Sequence, residues 1–211
     1  MVYEVLAGAI RDLRIPPGAW LSETDLAEQL HVSRSPLREA IARLVDTGVV
    51  SVVPQVGTRV ELIRLGDAEQ ARFVWESLET GAFLSACERP SRDVSVLRDL
   101  VDRQSEACTA NDLDAFFAAD EALHEQIFVL GGYPTAWQLM QPMKIHLDRL
   151  RRLSLPDPAT MRSLIDEHTA IVDALEAGDT VGGRTHITAH IRCVLENGPG
   201  IRARHPGYFA E

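Results

Sequence analysis

Val32-Ser33-Arg34-Ser35-Pro36-Leu37-Arg38-Glu39-Ala40-Ile41-Ala42-Arg43-Leu44 decides how the first third of the chain is read. Leu37, Ile41, Leu44 and Val45 fall at i, i+4, i+7 and i+8, which is one apolar stripe of a helix. Arg34, Ser35 and Arg38 fall on another side, near the amino end, free to touch something outside the fold. Ser33 is placed to cap, Pro36 lies within the first turn, and Gly48 stops the helix. An apolar back with two arginines and a serine at the exposed start suits a helix that enters a DNA major groove. Surface arginines on an amphipathic helix are more often a plain solvated face, so the flanking sequence has to decide.

Upstream, residues 3–14 read as a helix with Val5, Leu6, Ala9, Ile10 and Leu13 on one face, ended by Ile15-Pro16-Pro17-Gly18. Ser22 then caps a short helix, with Asp25 three residues on and Leu26, Ala27 and Leu30 inside. His31-Val32 is a tight turn into the next helix, as a helix-turn-helix requires. Downstream, Val49-Val50-Ser51-Val52-Val53 and Val56-Gly57-Thr58-Arg59-Val60 flank Pro54-Gln55 and read as a hairpin. In that position the hairpin reads as a wing in preference to a plain edge hairpin, and a wing would bring Gly57 and Arg59 near the DNA backbone or minor groove.

The net charge of −10 divides unevenly. Residues 1–64 hold 7 basic and 8 acidic side chains, a balance of −1, and the remainder holds 14 and 23, a balance of −9. The first part therefore permits contact with phosphate without demanding it. Cys87, Cys108 and Cys193, three and widely spaced, argue against a disulfide framework and fit a reducing cytoplasm. No apolar run approaches a membrane span, and the opening Met1-Val2-Tyr3-Glu4 is not a secretory signal.

From Leu65 onward the β signal disappears, and six segments carry helical periodicity: 67–88, 93–109, 112–131, 134–153, 160–177 and 179–196. The spacing predicts a mainly α chain: an N-terminal winged helix-turn-helix over 1–64, an all-α six-helix bundle over 65–197, and a loosely held tail over 198–211. Three bundle helices carry polar residues on their inner stripes: Asp120 and His124, then His168, then His190. Burying such groups without partners costs several kcal/mol, so the expectation is that they partner one another. Asp120 and His124 are i, i+4 and can bind one ion from one helix. Three histidines and an aspartate suit a borderline divalent metal such as Zn²⁺, Ni²⁺ or Mn²⁺. The plainer alternative is a hydrogen-bonded core cluster.

Pro16-Pro17-Gly18, Leu21-Ser22-Glu23, Leu26-Ala27, Val32 to Ala40, Leu44, Gly48 and the hairpin resemble the winged-helix domain of GntR-family transcriptional regulators. The resemblance implies that Ser33, Arg34, Ser35 and Arg38 contact double-stranded operator DNA, with the wing helping. Thr24 departs from relatives that carry arginine there. Arg72 to Glu76, the Asp120-to-His124 spacing, Glu167-His168, Ala174-Leu175 with Gly178-Asp179, and His190 resemble the FCD effector-binding domain of the FadR branch, in its six-helix VanR-like subgroup. That implies a divalent ion held by Asp120, His124, His168 and His190, with a small organic acid bound beside it. Gly131-Gly132-Tyr133 departs from the pattern of many relatives and bears on the pocket wall.

Arg72, Arg149, Arg152 and His186 are the candidates for holding the effector, the arginines because a guanidinium grips a carboxylate bidentately. The bland reading of Arg149 to Arg152 is a solvated basic face. Glu76 and Glu79 read as surface or interface carboxylates, and Trp20, Trp75 and Trp137 as core or interface anchors. His31, His146 and His205 carry no pattern. The whole reads as a cytoplasmic, homodimeric, ligand-responsive regulator, most simply a repressor. Its rivals are a metal-dependent enzyme on the bundle, disfavoured because no base shares the inner stripe, and a regulator whose ion is structural or is itself the signal.

Overall fold

The computed structural model describes residues 1–210. It divides into two compact units, one formed by Met1–Ala71, Pro142–Arg152 and Gly198–Glu211, the other by Arg72–Gln141 and Leu153–Asn197. This partition differs from the expected 1–64, 65–197 and 198–211 blocks.

The first unit opens with α1 (Val2–Arg11), followed by β1 (Trp20–Leu21), α2 (Glu23–Gln29), α3 (Arg34–Asp46), β2 (Val50–Val53) and β3 (Gly57–Val60). Ser22 caps α2 by accepting from the Asp25 amide at 3.3 Å. His31, at φ 52°, makes the turn before α3, and Gly48, at φ 75°, ends α3 in the left-handed conformation that glycine adopts at no steric cost. Ser33 stands at the N-cap of α3, although its hydroxyl makes no capping hydrogen bond. Leu37, Ile41 and Leu44 of α3 are buried with Leu6, Ile10, Val49 and Val60, and Ile145 completes this core.

The three strands form an antiparallel sheet in the order β1-β3-β2, with Trp20 paired to Arg59 and Val52 to Thr58. Strand β1 was not anticipated, since two residues are too short to show a period. The first helix ends at Arg11, before the expected 14, because Leu13 takes φ 59° and cannot continue it. Its inner face is Tyr3, Leu6, Ala7 and Ile10, and Val5 is exposed. The expected loose tail is instead built in. Helix α10 (Gly198–Arg204) buries Ile201, a 3-10 turn spans Pro206–Tyr208, and Ile63 pairs with Phe209 in a β-bridge.

The helices α4 (Leu65–Cys87), α5 (Ser95–Ala110), α6 (Leu113–Gly131), α7 (Pro134–Ser154), α8 (Pro158–Ala177) and α9 (Thr180–Glu196) follow the six expected segments closely. Aspartates start three of them: Asp112 accepts from the Ala115 amide, Asp157 from Ala159, and Asp179 from Val181 and Gly182. In the second unit α5 packs on α6 and α8, and α8 on α9. Gly183 lets α9 approach α4 closely, since a Cβ there would fall 2.1 Å from the Phe83 ring. The middle of α7, Pro142–Arg152, belongs to the first unit. No helix among the described residues is long and apolar enough to cross a membrane.

Candidate metal centre and candidate nucleic-acid interface

Helix α3 presents Ser33, Arg34, Ser35 and Arg38 to solvent at its amino end. Arg34 and Ser35 make no side-chain hydrogen bond among the described residues. Arg38 is engaged: its Nε donates to the Glu23 carboxylate at 2.9 Å, tying the start of α2 to the exposed side of α3. Sequence reasoning passed over Glu23, although its place after a capping serine was visible. Gly57 and Arg59 lie on the outer face of the sheet while Thr58 and Val60 point inward.

The far ends of this reading unit are held by the middle of α7. His146 Nε2 donates to the Thr47 carbonyl at 2.7 Å, just past α3, and Arg149 donates to the Glu61 carbonyl at 2.8 Å, just past β3. Arg149 is 1% exposed, and burial lowers its guanidinium to about 10. Arg152 pairs with Asp12 at 2.9 Å. These partners correct the expectation that Arg149 and Arg152 hold an effector, since both are occupied as internal struts of the first unit. They are not a solvated face either, since Arg149 is buried and Arg152 half-buried. His146, for which the sequence offered no pattern, is one of the same struts.

In the second unit, His124, His168 and His190 are all buried and come from α6, α8 and α9. His190 Nε2 lies 3.2 Å from His168 Nε2 and 3.3 Å from His124 Nε2. Asp120 Oδ1 is 3.5 Å from His168 Nε2. Each ring is fixed from behind. His124 Nδ1 donates to Glu79 at 2.6 Å, His168 Nδ1 to the Gln104 carbonyl oxygen at 2.7 Å, and His190 Nδ1 to Glu167 at 2.8 Å. The three Nδ1 protons are thereby committed, so the three Nε2 lone pairs face one another.

That arrangement fits a cation better than a closed hydrogen-bonded cluster. Neutral rings with their protons on Nδ1 have none to share at Nε2, and burial pushes the His190 imidazole down, against the Glu167 hydrogen bond that would raise it. Burial alone would raise Glu167, but the hydrogen bond and charge of His190 hold its carboxyl below the usual range. Bonds of about 2.0–2.1 Å to one ion, at angles between square and tetrahedral, separate nitrogens by about 2.9–3.4 Å, which brackets the two separations from His190, and all three nitrogens lie within 4.8 Å of one another. Imidazole held through Nδ1 by a carboxylate or amide is also the usual support of a metal ligand.

Glu79 corrects an expectation. It is wholly buried on α4 rather than a surface carboxylate, and its two oxygens accept from His124 and from the Trp75 indole. A glutamate thus does stand beside the candidate ligands, but with both oxygens occupied it orients a ring and offers no free base. Trp75 and Trp137 are buried as expected, whereas Trp20 is 52% exposed. His186 points outward on α9, which removes it from a pocket wall. Arg72 pairs with Glu76, which also accepts two bonds from Arg192 at 2.6 and 2.8 Å. The Arg192 bonds and then the Arg72 charge keep the Glu76 carboxyl low, although burial works against them.

With this geometry in view, a model of the FCD domain matches residues 70–192, and a model of the gntR family of bacterial regulatory proteins matches residues 1–60. The chain is 35% identical over 210 residues to an HTH-type transcriptional regulator in an unstable DNA locus of Streptomyces ambofaciens, covering 99% of this chain and 88% of that one. It is 26% identical over 211 residues to the HTH-type transcriptional repressor RspR of Escherichia coli K12, covering 100% and 92%. In structure it is similar to E. coli McbR/YncC, with TM-score 0.78 and 24% identity over 97% of this chain and 96% of that one. A GntR transcriptional regulator from Rhodococcus sp. RHA1 gives TM-score 0.79 and 23% identity over 94% and 96%. The likeness to these two structures concerns the fold.

Proposed function

The chain belongs to the GntR family of bacterial regulatory proteins and carries an FCD domain, and on that premise we propose a cytoplasmic, homodimeric repressor gated by a small carboxylate at a divalent ion. Transcriptional regulation, not catalysis, is the activity of the relatives it matches. In the proposed mode α3 enters the major groove, and Arg34 and Arg38 reach base edges or phosphates with Ser33 and Ser35. Arg59 and Gly57 of the wing lie along the adjacent backbone. Two copies read half-sites about one turn apart.

The observation that supports the ion is the convergence of three buried imidazole nitrogens whose opposite nitrogens are all held by Glu79, Gln104 and Glu167. Asp120, His124, His168 and His190 would hold Zn²⁺, Ni²⁺ or Mn²⁺, and the ion would supply a Lewis-acidic anchor for a carboxylate oxygen. The arginines of α7 take no part in this version, since their partners are internal.

A second reading is favoured by the complete burial of His124 and His168, which suits an ion that is structural or is itself the signal. Both are tested by elemental analysis of the purified protein and its His124→Ala variant, then thermal shift with small mono- and dicarboxylic acids before and after chelation. The carboxylate reading expects about one equivalent of ion, lost in the variant, and a shift with an acid only while the ion is bound. An ion whose removal alone changes DNA affinity, with no acid producing a shift, favours the second. No ion in either protein after divalent loading rejects both.

A further inference from the structure

Trp20 is out of place as a core residue. It stands on the edge strand β1, 52% exposed, directly across from Arg59 on β3. The Arg59 guanidinium carbon lies over the indole, 5.7 Å from the ring centroid, within the range of a cation–π contact. Gly57, on the same outer face, leaves its Cβ direction to the indole, since a Cβ there would meet the ring at 3.7 Å. Arg59 has no ion-pair partner among the described residues, and its Nε is buried without a hydrogen bond. By contrast Arg38, on the exposed side of α3, already has Glu23.

We propose that Trp20 is a positioning residue for DNA binding: its indole carries the Arg59 guanidinium on the outer face of the wing and aims it at a backbone phosphate. The inference rests on the DNA-binding reading. A flexible arginine loses rotamer freedom when it docks, and a flat aromatic platform restricts it beforehand without neutralising its charge. The indole itself is uncharged, so it adds no counterion release of its own. It acts through Arg59.

The test uses the full-length protein and a duplex recovered by selection from a random pool, with an unselected duplex of equal length beside it. Affinity is measured across a salt series for wild type, Trp20→Ala, Trp20→Phe, Trp20→Leu, Arg59→Ala and the Trp20→Ala/Arg59→Ala pair, each checked for an unchanged melting profile. Trp20→Ala is expected to weaken binding about three- to fivefold on both duplexes. It should also flatten the salt slope by about 0.9 per lost phosphate contact, as Arg59→Ala does.

Trp20→Phe should restore most of both, Trp20→Leu neither, and the double variant should match Arg59→Ala alone. Because Trp75 and Trp137 are buried, DNA should shield wild-type tryptophan from acrylamide quenching, and this protection should vanish in Trp20→Phe. Equal rescue by leucine, or additive losses in the double variant, would overturn the inference and leave DNA binding intact. Wild-type protein that binds no duplex would overturn the DNA-binding reading itself.

Discussion

Glu79 accepts the Nδ1 proton of His124 across 2.6 Å, with both side chains wholly buried. The carboxylate's other oxygen accepts from the Trp75 indole, which also packs edge-on against the His124 ring with centroids 4.8 Å apart, so the three groups hold one another. The tautomer of His124 is therefore set from α4, a helix that carries none of the four candidate ligands. Glu79→Leu should weaken ion affinity about ten- to hundredfold while leaving Asp120, His168 and His190 in place. Competition against a chromogenic chelator measures this, and unchanged affinity would show that the carboxylate is only a packing element.

Arg149 bridges Glu61 to the body of α7 from a site that is 1% exposed. Arg149→Ala removes a charge-assisted bond to a partly buried carbonyl and should lower stability by about 2 kcal/mol in urea unfolding. Its ion content should match wild type. A stable variant with lost effector response would instead return Arg149 to the ligand site.

His146 gives the first unit a pH dependence. Burial lowers its imidazole; the Thr47 hydrogen bond opposes this, Arg149 and Arg64 add to the lowering, and Asp67 works against it. A histidine depressed in the folded state binds its proton more readily when unfolded. Its contribution is therefore complete above about pH 6.5 and is lost as pH falls through the lower folded value. His146→Gln should flatten the fall of melting temperature below pH 6.5 relative to wild type. A curve that keeps the same slope would place the acid sensitivity elsewhere.

The Glu23–Arg38 pair is exposed, so breaking it should hardly change stability. Its effect should appear on DNA. Arg38→Ala should cost about 1–3 kcal/mol of binding and relax selectivity at one position of each half-site. Glu23→Ala should keep affinity but blunt that selectivity, because Arg38 then loses its fixed direction. Binding arrays covering every single-base change in the selected duplex provide the comparison.

The recognition helix was legible because Leu37, Ile41 and Leu44 form a clean stripe, ended at Gly48 and leaving the arginines outside. The imidazole set was legible for a related reason, since His124, His168 and His190 interrupt inner stripes that are otherwise apolar. Glu79 was hidden because α4 carries apolar residues around its circumference. Trp75 and Phe83 are buried while Phe73 and Leu78 are exposed, so no inward face stands out. Arg149 was hidden by its company: a run of arginines looks solvated unless the backbone carbonyls that receive it are known. Trp20 looked like an anchor because size favours burial, and only its pairing with Arg59 shows a different use.

The three turns of α7 that join the first unit bear on how such proteins can be recombined. A cut at residue 64 would leave Ile145, His146 and Arg149 behind, uncovering the core they close and the carbonyls of Thr47 and Glu61. A DNA-reading head grafted onto another sensor by sequence boundary alone would arrive with an open seam. A working chimaera needs either a donor α7 along with the head or a recipient α7 whose side chains match the same seam. The segment that closes the DNA-reading head of this chain thus lies about eighty residues beyond the apparent joint.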